Sequence, residues 1–307
     1  MADDRPERHA AGSAALRELG AFAHRWEERR DSLNTLAEHW RDDPDTMPFL
    51  WERAVADPDE DVRGTALLGL ATHWPHHAGT RSLLMERAVT DPDEDLRLRL
   101  VEVVARGWPG HPETLPWLLR LIDHDPDEDV RAAMVTIVAG TWRDDPAVRP
   151  LVHRWATDTD PEVREAAVRA LATHWRADPQ TLPLIRDRVV ADADADVRET
   201  ALRVLAGWWR DDPGTLPLVQ DRAVTDPDEE VREAAVRALA DNWSDEPATA
   251  ALLRSRAAED PDDYVRLAAT QALRVIGRAD RGNDRAGAGV AGAPVVPRVR
   301  DRSIGQG

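Results

Sequence analysis

Asp57-Pro58-Asp59-Glu60-Asp61-Val62-Arg63 is a stretch that the chain repeats, with small changes, seven times. Aligned on the apolar residue before the arginine, the copies fall at Val62, Leu96, Val130, Val163, Val197, Val231 and Val265, with gaps of 34, 34, 33, 34, 34 and 34 residues. A period in this range marks a solenoid, a stack of short units that each bury their apolar face against their neighbours. Such a stack offers a long surface, so binding is the expected role and catalysis the exception.

Each unit has a physical reading. Asp57 is a good helix N-cap, Pro58 suits a first helical position, and Glu60 completes an Asp-x-x-Glu capping box. The acids sit at the positive end of the helix dipole. Val62, Ala66, Leu67, Leu70, Ala71 and Trp74 then follow the spacing of one apolar helical face. Upstream, Arg41-Asp42-Asp43-Pro44-Asp45-Thr46-Met47-Pro48 reads as a turn and a second helix start. Thr46 can cap it, and Pro48 is tolerated because a first-turn N–H has no helical partner. Met47, Leu50 and Ala54 mark one face of a short helix ending near Ala56. The predicted unit is helix A of about ten residues, a tight Asp-Pro turn, helix B of about sixteen, and a Trp-x-Asp-Asp-Pro loop.

Comparison of the copies isolates four columns. Five residues before the apolar residue stands aspartate in every copy: Asp57, Asp91, Asp125, Asp158, Asp192, Asp226 and Asp260. Three before it stands a second aspartate, from Asp59 to Asp262. One after it stands arginine: Arg63, Arg97, Arg131, Arg164, Arg198, Arg232 and Arg266. Nine before it, arginine recurs with Leu121 as the exception, and twelve after it tryptophan recurs from Trp74 to Trp243, with Gly277 ending the series.

The run Asp-Pro-Asp-x-x-Val-Arg-x-x-Ala-x-x-x-Leu, as at Asp226-Pro227-Asp228-Glu229-Glu230-Val231-Arg232, resembles the intra-repeat turn and second helix of HEAT-family α-solenoids. The resemblance covers roughly residues 41–277. It implies an all-α, right-handed superhelix of the armadillo/HEAT type with about eight antiparallel helix pairs. It also implies that the Asp57 and Arg63 columns bridge successive repeats as a hydrogen-bonded ladder, and that helices B line a concave face holding a protein or peptide. The variant Trp-x-Asp-Asp-Pro-x-Thr-Leu-Pro-Leu, as at Trp209–Leu218, looks like arrays of high-GC bacteria, some joined to NACHT-type signalling ATPases; no ATPase segment accompanies the repeats here.

The ends differ from the middle. Residues 1–12 read as a flexible N-terminus. Residues 13–40 keep Trp40 and Leu36-Ala37 in register but place Glu28 where Val62 stands and lack the Asp-Pro turn, so they read as a degenerate capping repeat ahead of seven repeats in 41–277. Residues 278–307, rich in Gly, Ala, Pro and Arg, read as a disordered tail. Six arginines against three aspartates make this tail +3, which leaves −21 of the total −18 on residues 1–277.

Charge argues against nucleic acid as the partner. A duplex-DNA reader needs a basic face to displace counterions, and the body carries 55 Asp and Glu against 34 Arg with no lysine anywhere. There is no cysteine, which removes disulfides and thiolate metal sites. The N-terminus lacks the apolar core of a signal peptide and no window is apolar enough to span a bilayer, so a cytoplasmic location is expected.

No cofactor, metal or catalytic site is expected. The triplets Asp57/Asp59/Asp61, Asp91/Asp93/Asp95, Asp125/Asp127/Asp129 and Asp192/Asp194/Asp196 look like the start of a calcium loop, but Val62 and Leu68 stand where such a loop needs Gly and Glu. His39, His73 and His174 precede column tryptophans on helices too far apart to share an ion, and His76-His77 lacks a carboxylate at helical spacing. The Trp column is expected to pack between repeats with its N–H near loop carbonyls; Trp51, Trp117, Trp155 and Trp208 lie off it. Positions two and six after the apolar residue carry Glu165/Arg169, Glu199/Arg203 and Glu233/Arg237 in later repeats, pairs at the i,i+4 ion-pair spacing. The first three repeats carry Gly64/Leu68, Leu98/Glu102 and Ala132/Thr136 instead, a candidate partner site. The expectation is a monomeric, non-catalytic scaffold or adaptor for a protein or peptide; a HEAT-like enzyme acting on nucleic acid or protein is the alternative.

Overall fold

A computed structural model describes the backbone of residues 5–288 and the side chains of residues 12–277. Among these residues there are sixteen helices and no strand. They form eight successive pairs: α1 (Arg5–Phe22) with α2 (Trp26–His39), α3 (Thr46–Ala56) with α4 (Glu60–His73), α5 (Thr80–Thr90) with α6 (Glu94–Gly107), and α7 (Thr114–Ile122) with α8 (Glu128–Thr141). Then come α9 (Val148–Trp155) with α10 (Pro161–His174), α11 (Thr181–Ala191) with α12 (Ala195–Trp208), α13 (Thr215–Thr225) with α14 (Glu229–Asn242), and α15 (Pro247–Glu259) with α16 (Asp263–Ala288). The chain divides into two compact units, residues 1–185 and 186–307. Within the first, α2, α4, α6, α8 and α10 stack in sequence; within the second, α12, α14 and α16 do.

The apolar column makes the core. Val62, Val197, Val231 and Val265 have no exposed surface, and each is followed by further buried residues on the same helix, as with Ala66, Leu67 and Leu70 on α4. Burying a side chain of this size contributes about 1.5–3 kcal/mol. Because each B helix carries the same stripe, the gain recurs at every repeat.

Helices B begin at Glu60, Glu94, Glu128 and their equivalents, so the N-cap is the second aspartate of the turn and not the first, contrary to the capping box expected at Asp57. Asp59 accepts from the N–H groups of Asp61 (3.1 Å) and Val62 (3.2 Å), and Asp194 and Asp228 cap α12 and α14 in the same way. Asp57 instead ends helix α3 in an extended conformation and accepts the N–H of Asp59 at 3.1 Å. Pro58 lies in the turn ahead of the cap. Among the described helices B, only that of the 33-residue repeat, where the order is Asp158-Thr159-Asp160-Pro161, carries proline in its first turn.

The domain boundaries also shift. Helix α1 begins at Arg5, inside the stretch expected to be flexible, and α16 runs on to Ala288, eleven residues past the expected tail boundary at Gly277. Gly277 therefore lies within α16. The remainder of that expected tail, residues 289–307, lies outside the described residues. No described helix is long and apolar enough to cross a membrane.

Candidate protein-interaction surface

Within each of the two units, ladder arginines donate to an aspartate of the following repeat. Arg63 Nε and Nη2 grip the Asp91 carboxylate at 2.9 and 2.7 Å while Nη1 reaches the carbonyls of Asp57 (3.1 Å) and Pro58 (3.0 Å). The same fork joins Arg198 to Asp226 at 3.1 and 3.0 Å and Arg232 to Asp260 at 3.2 and 3.1 Å. Arg164 donates to the carbonyls of Asp158 and Thr159, both at 3.0 Å. Asp192 is buried, accepting from the Asp194 N–H and from Arg188, both at 3.1 Å. The column nine residues upstream adds a second cation from the carboxylate's own helix A, as with Arg87 on Asp91 (2.5 Å) and Arg188 on Asp192. Burial alone would raise the Asp91 pKa, but hydrogen bonds from Arg63 and Arg87 hold it below the ordinary carboxylate value. The hydrogen bond to its aspartate likewise raises Arg29, Arg63 and Arg198.

One member of this ladder escaped the sequence reading. Arg29, in the degenerate first repeat, holds Asp57 by Nε at 3.0 Å and Nη2 at 2.9 Å, with Nη1 on the Ala23 carbonyl. Its position eleven residues before Trp40, like that of Arg63 before Trp74, was the available signal. Two links depart from the pattern. Where Leu121 replaces the helix-A arginine, Arg97 makes one 3.4 Å bond to Asp125 and its Nε has no partner. Where the repeat shortens to 33 residues, Arg131 pairs with Asp160 instead of Asp158, because the missing residue brings the second aspartate to the guanidinium. Arg266 lies at the end of the series, donating to the carbonyls of Asp260 and Pro261 and pairing with Asp263.

Inter-repeat loops carry a second set of contacts. Asp43, Asp145, Asp178 and Asp212 each accept the N–H two residues on, and His77 and His111 fill the same place with Nδ1 accepting from Gly79 and Glu113, both at 3.3 Å. His77 therefore has a turn-capping task. Burial lowers the pKa of His153, whose Nε2 is enclosed without a partner, and that of His174. A base whose folded pKa is depressed stays neutral while the unfolded chain takes up protons, so stability is lost as pH falls below about 6.5. Urea midpoints at pH 7.5 and 5.5 should differ, and His153→Gln with His174→Gln should narrow the gap; an unchanged gap would place the pH dependence elsewhere.

The tryptophan column stands at the C-caps of helices B and is half-buried rather than core, with Trp243 alone reaching 9% exposure. Trp142 Nε1 donates to the Pro109 carbonyl of the preceding loop at 3.1 Å. The off-column Trp155 and Trp117 are more deeply buried, at 1% and 7%, whereas Trp208 is 49% exposed. Trp51 packs edge-to-face on His77 and lies where a Cβ on Gly79 would meet it at 2.6 Å, so a side chain there would have to displace the indole.

The candidate partner residues do not form an exposed apolar strip. Gly64 is buried, with Leu96 Cδ1 3.2 Å from where its Cβ would stand. Leu68, Leu98, Glu102 and Ala132 are half-buried and Thr136 is exposed. Glu102 pairs with Arg106 at 3.6 Å. In later repeats Glu165–Arg169, Glu199–Arg203 and Glu233–Arg237 are ion-paired, with half-buried acids and exposed arginines. The helix-start triplets are divided among tasks, Asp57 serving the ladder and Asp59 the cap while Asp61 is exposed. Asp196, Glu199 and Glu230 bring carboxylate oxygens within 4.8 Å of one another.

An all-helical chain of 33–34-residue helix pairs tied by Asp–Arg bridges is a helical repeat protein. Models of HEAT repeats match residues 47–136, 124–206 and 187–274, and the chain belongs to that family. No curated protein matches it in sequence. Among solved structures it is similar to YibA of E. coli, at 17% identity and a TM-score of 0.47 over 89% of this chain and 98% of that one. It is also similar to Kap121p, at 16% identity and a TM-score of 0.45; the match covers 89% of this chain but only 27% of Kap121p.

Proposed function

We propose that the protein is a non-catalytic interaction module that holds a protein or peptide along its helices B. HEAT repeats generally serve as protein-interaction scaffolds, and the observation that supports this reading is the internal use of the recurring charges. The ladder arginines, ladder aspartates and loop aspartates are committed to one another and to backbone groups, which leaves variation between repeats to the exposed side of helices B. On that side Leu68 and Leu98 stand where later repeats present ion pairs, each still with surface to lose on binding. Attachment to a signalling ATPase is one form such a partnership takes in similar arrays, and the acidic body suits a partner with a basic surface.

The test compares a Leu68→Glu, Leu98→Glu variant with Glu199→Ala, Arg203→Ala for retention of partners from the native host. Loss of a partner from the leucine variant alone, with an unchanged melt, is expected. Retention of every partner by the leucine variant would remove this face as the binding site.

A further inference from the structure

The last described helix gathers large apolar side chains on its exposed face. At the position before the apolar column, six repeats carry an acid, Asp61, Asp95, Asp129, Glu162, Asp196 and Glu230, and the seventh carries Tyr264. At the second position after it, Gly64, Leu98, Ala132, Glu165, Glu199 and Glu233 precede Leu267, and at the tenth a mixed column running from Thr72 to Asp241 ends in Val275. Tyr264, Leu267 and Val275 are 70%, 51% and 66% exposed. Their spacing, with Gln271 between, follows i, i+3, i+7, i+11 and so forms one stripe along α16.

We propose that this stripe is a self-association surface, on which α16 of a second copy packs antiparallel about a two-fold axis, in contrast to the monomer expected from the sequence. The stripe is self-complementary. Turning α16 about a point midway between Tyr264 and Val275 sets Tyr264 against Val275 of the other copy and Leu267 against its Gln271. Asp263 and the exposed Arg274 lie on one edge of the stripe, near its opposite ends, so the same turn brings each Asp263 beside the other copy's Arg274. A contact of this kind is isologous, with the same patch used twice. One helix pair is small for an interface, and association is expected to be weak and concentration-dependent.

Sedimentation velocity of the full chain from micromolar to submillimolar concentration tests this. Wild type should pass from monomer to dimer. Leu267→Glu and Val275→Glu should each weaken the dimer more than tenfold while leaving the helical signal and melting curve unchanged, since both side chains are exposed. Asp263→Arg should weaken it several-fold by setting arginine against Arg274, and adding Arg274→Asp should restore it. A chain that stays monomeric throughout, a dimer indifferent to Leu267→Glu and Val275→Glu, or a charge swap that fails to restore what Asp263→Arg removed would each overturn the proposal.

Discussion

Replacing Arg198 by alanine should lower stability by about 3–5 kcal/mol, the range for removing one partner of a buried ion pair. The Asp226 side chain has no exposed surface and would keep only the Asp228 N–H at 3.1 Å and the more distant Arg222 at 3.8 Å. The carbonyls of Asp192 and Ala193 would lose their donor as well. Arg203 is the control: it pairs with Glu199 at 2.5 Å, but its side chain is 59% exposed. An exposed i,i+4 pair contributes about 0.3–0.5 kcal/mol, so Arg203→Ala should barely move the denaturant midpoint. Arg198→Lys should fall between, because an ammonium cannot form the two-pronged fork. Equal midpoints for Arg198→Ala and Arg203→Ala would show that the ladder arginine is only solvated.

Much of this architecture was legible because the repeat states each requirement seven times over. Apolar residues at helical spacing demanded helices, and a period of 34 residues left room for a pair of them. What stayed hidden depended on contacts made far along the chain. Asp57 and Asp59 are equally good caps as single residues; which carboxylate turns to the backbone is decided by Arg29, 28 residues earlier, which claims Asp57. The shift from Asp158 to Asp160 follows from a single missing residue whose consequence appears only when Arg131 looks for a partner. Gly64 was counted among the candidate partner residues, yet Leu96 of the next repeat fills the space that its missing side chain leaves. The stripe on α16 was within reach of a wider column comparison, since Tyr264 and Val275 stand at positions, one before and ten after the apolar residue, that were not compared across the repeats.

Removal of residues 1–40 should have the larger effect of the two deletions that the ends invite. Helices α1 and α2 bury Leu33, Leu36 and Ala37, and Gly69 on α4 packs so closely that its Cβ would stand 3.5 Å from Ala37. The deletion also takes Arg29 from Asp57, whose side chain is wholly buried and would retain only Arg53 at 3.8 Å and a backbone N–H. Losing a buried pair member costs about 3–5 kcal/mol, and uncovering apolar surface adds about 25 cal/mol for each Å². The outcome expected is a lower melting temperature and concentration-dependent aggregation, measured by light scattering during a thermal ramp. Arg29→Ala in the full chain isolates the ion pair from the apolar cover and should account for part of the loss without aggregation. Deleting residues 289–307 is the contrasting cut; this stretch is mostly Gly, Ala, Pro, Val and Arg, with Ile304 its largest apolar side chain and little to offset ordering entropy, and its loss should leave the melt unchanged. A truncated chain lacking residues 1–40 that melts like the intact one would mean that α1 and α2 do not cap the array, and that the Arg29–Asp57 bridge contributes nothing to holding it.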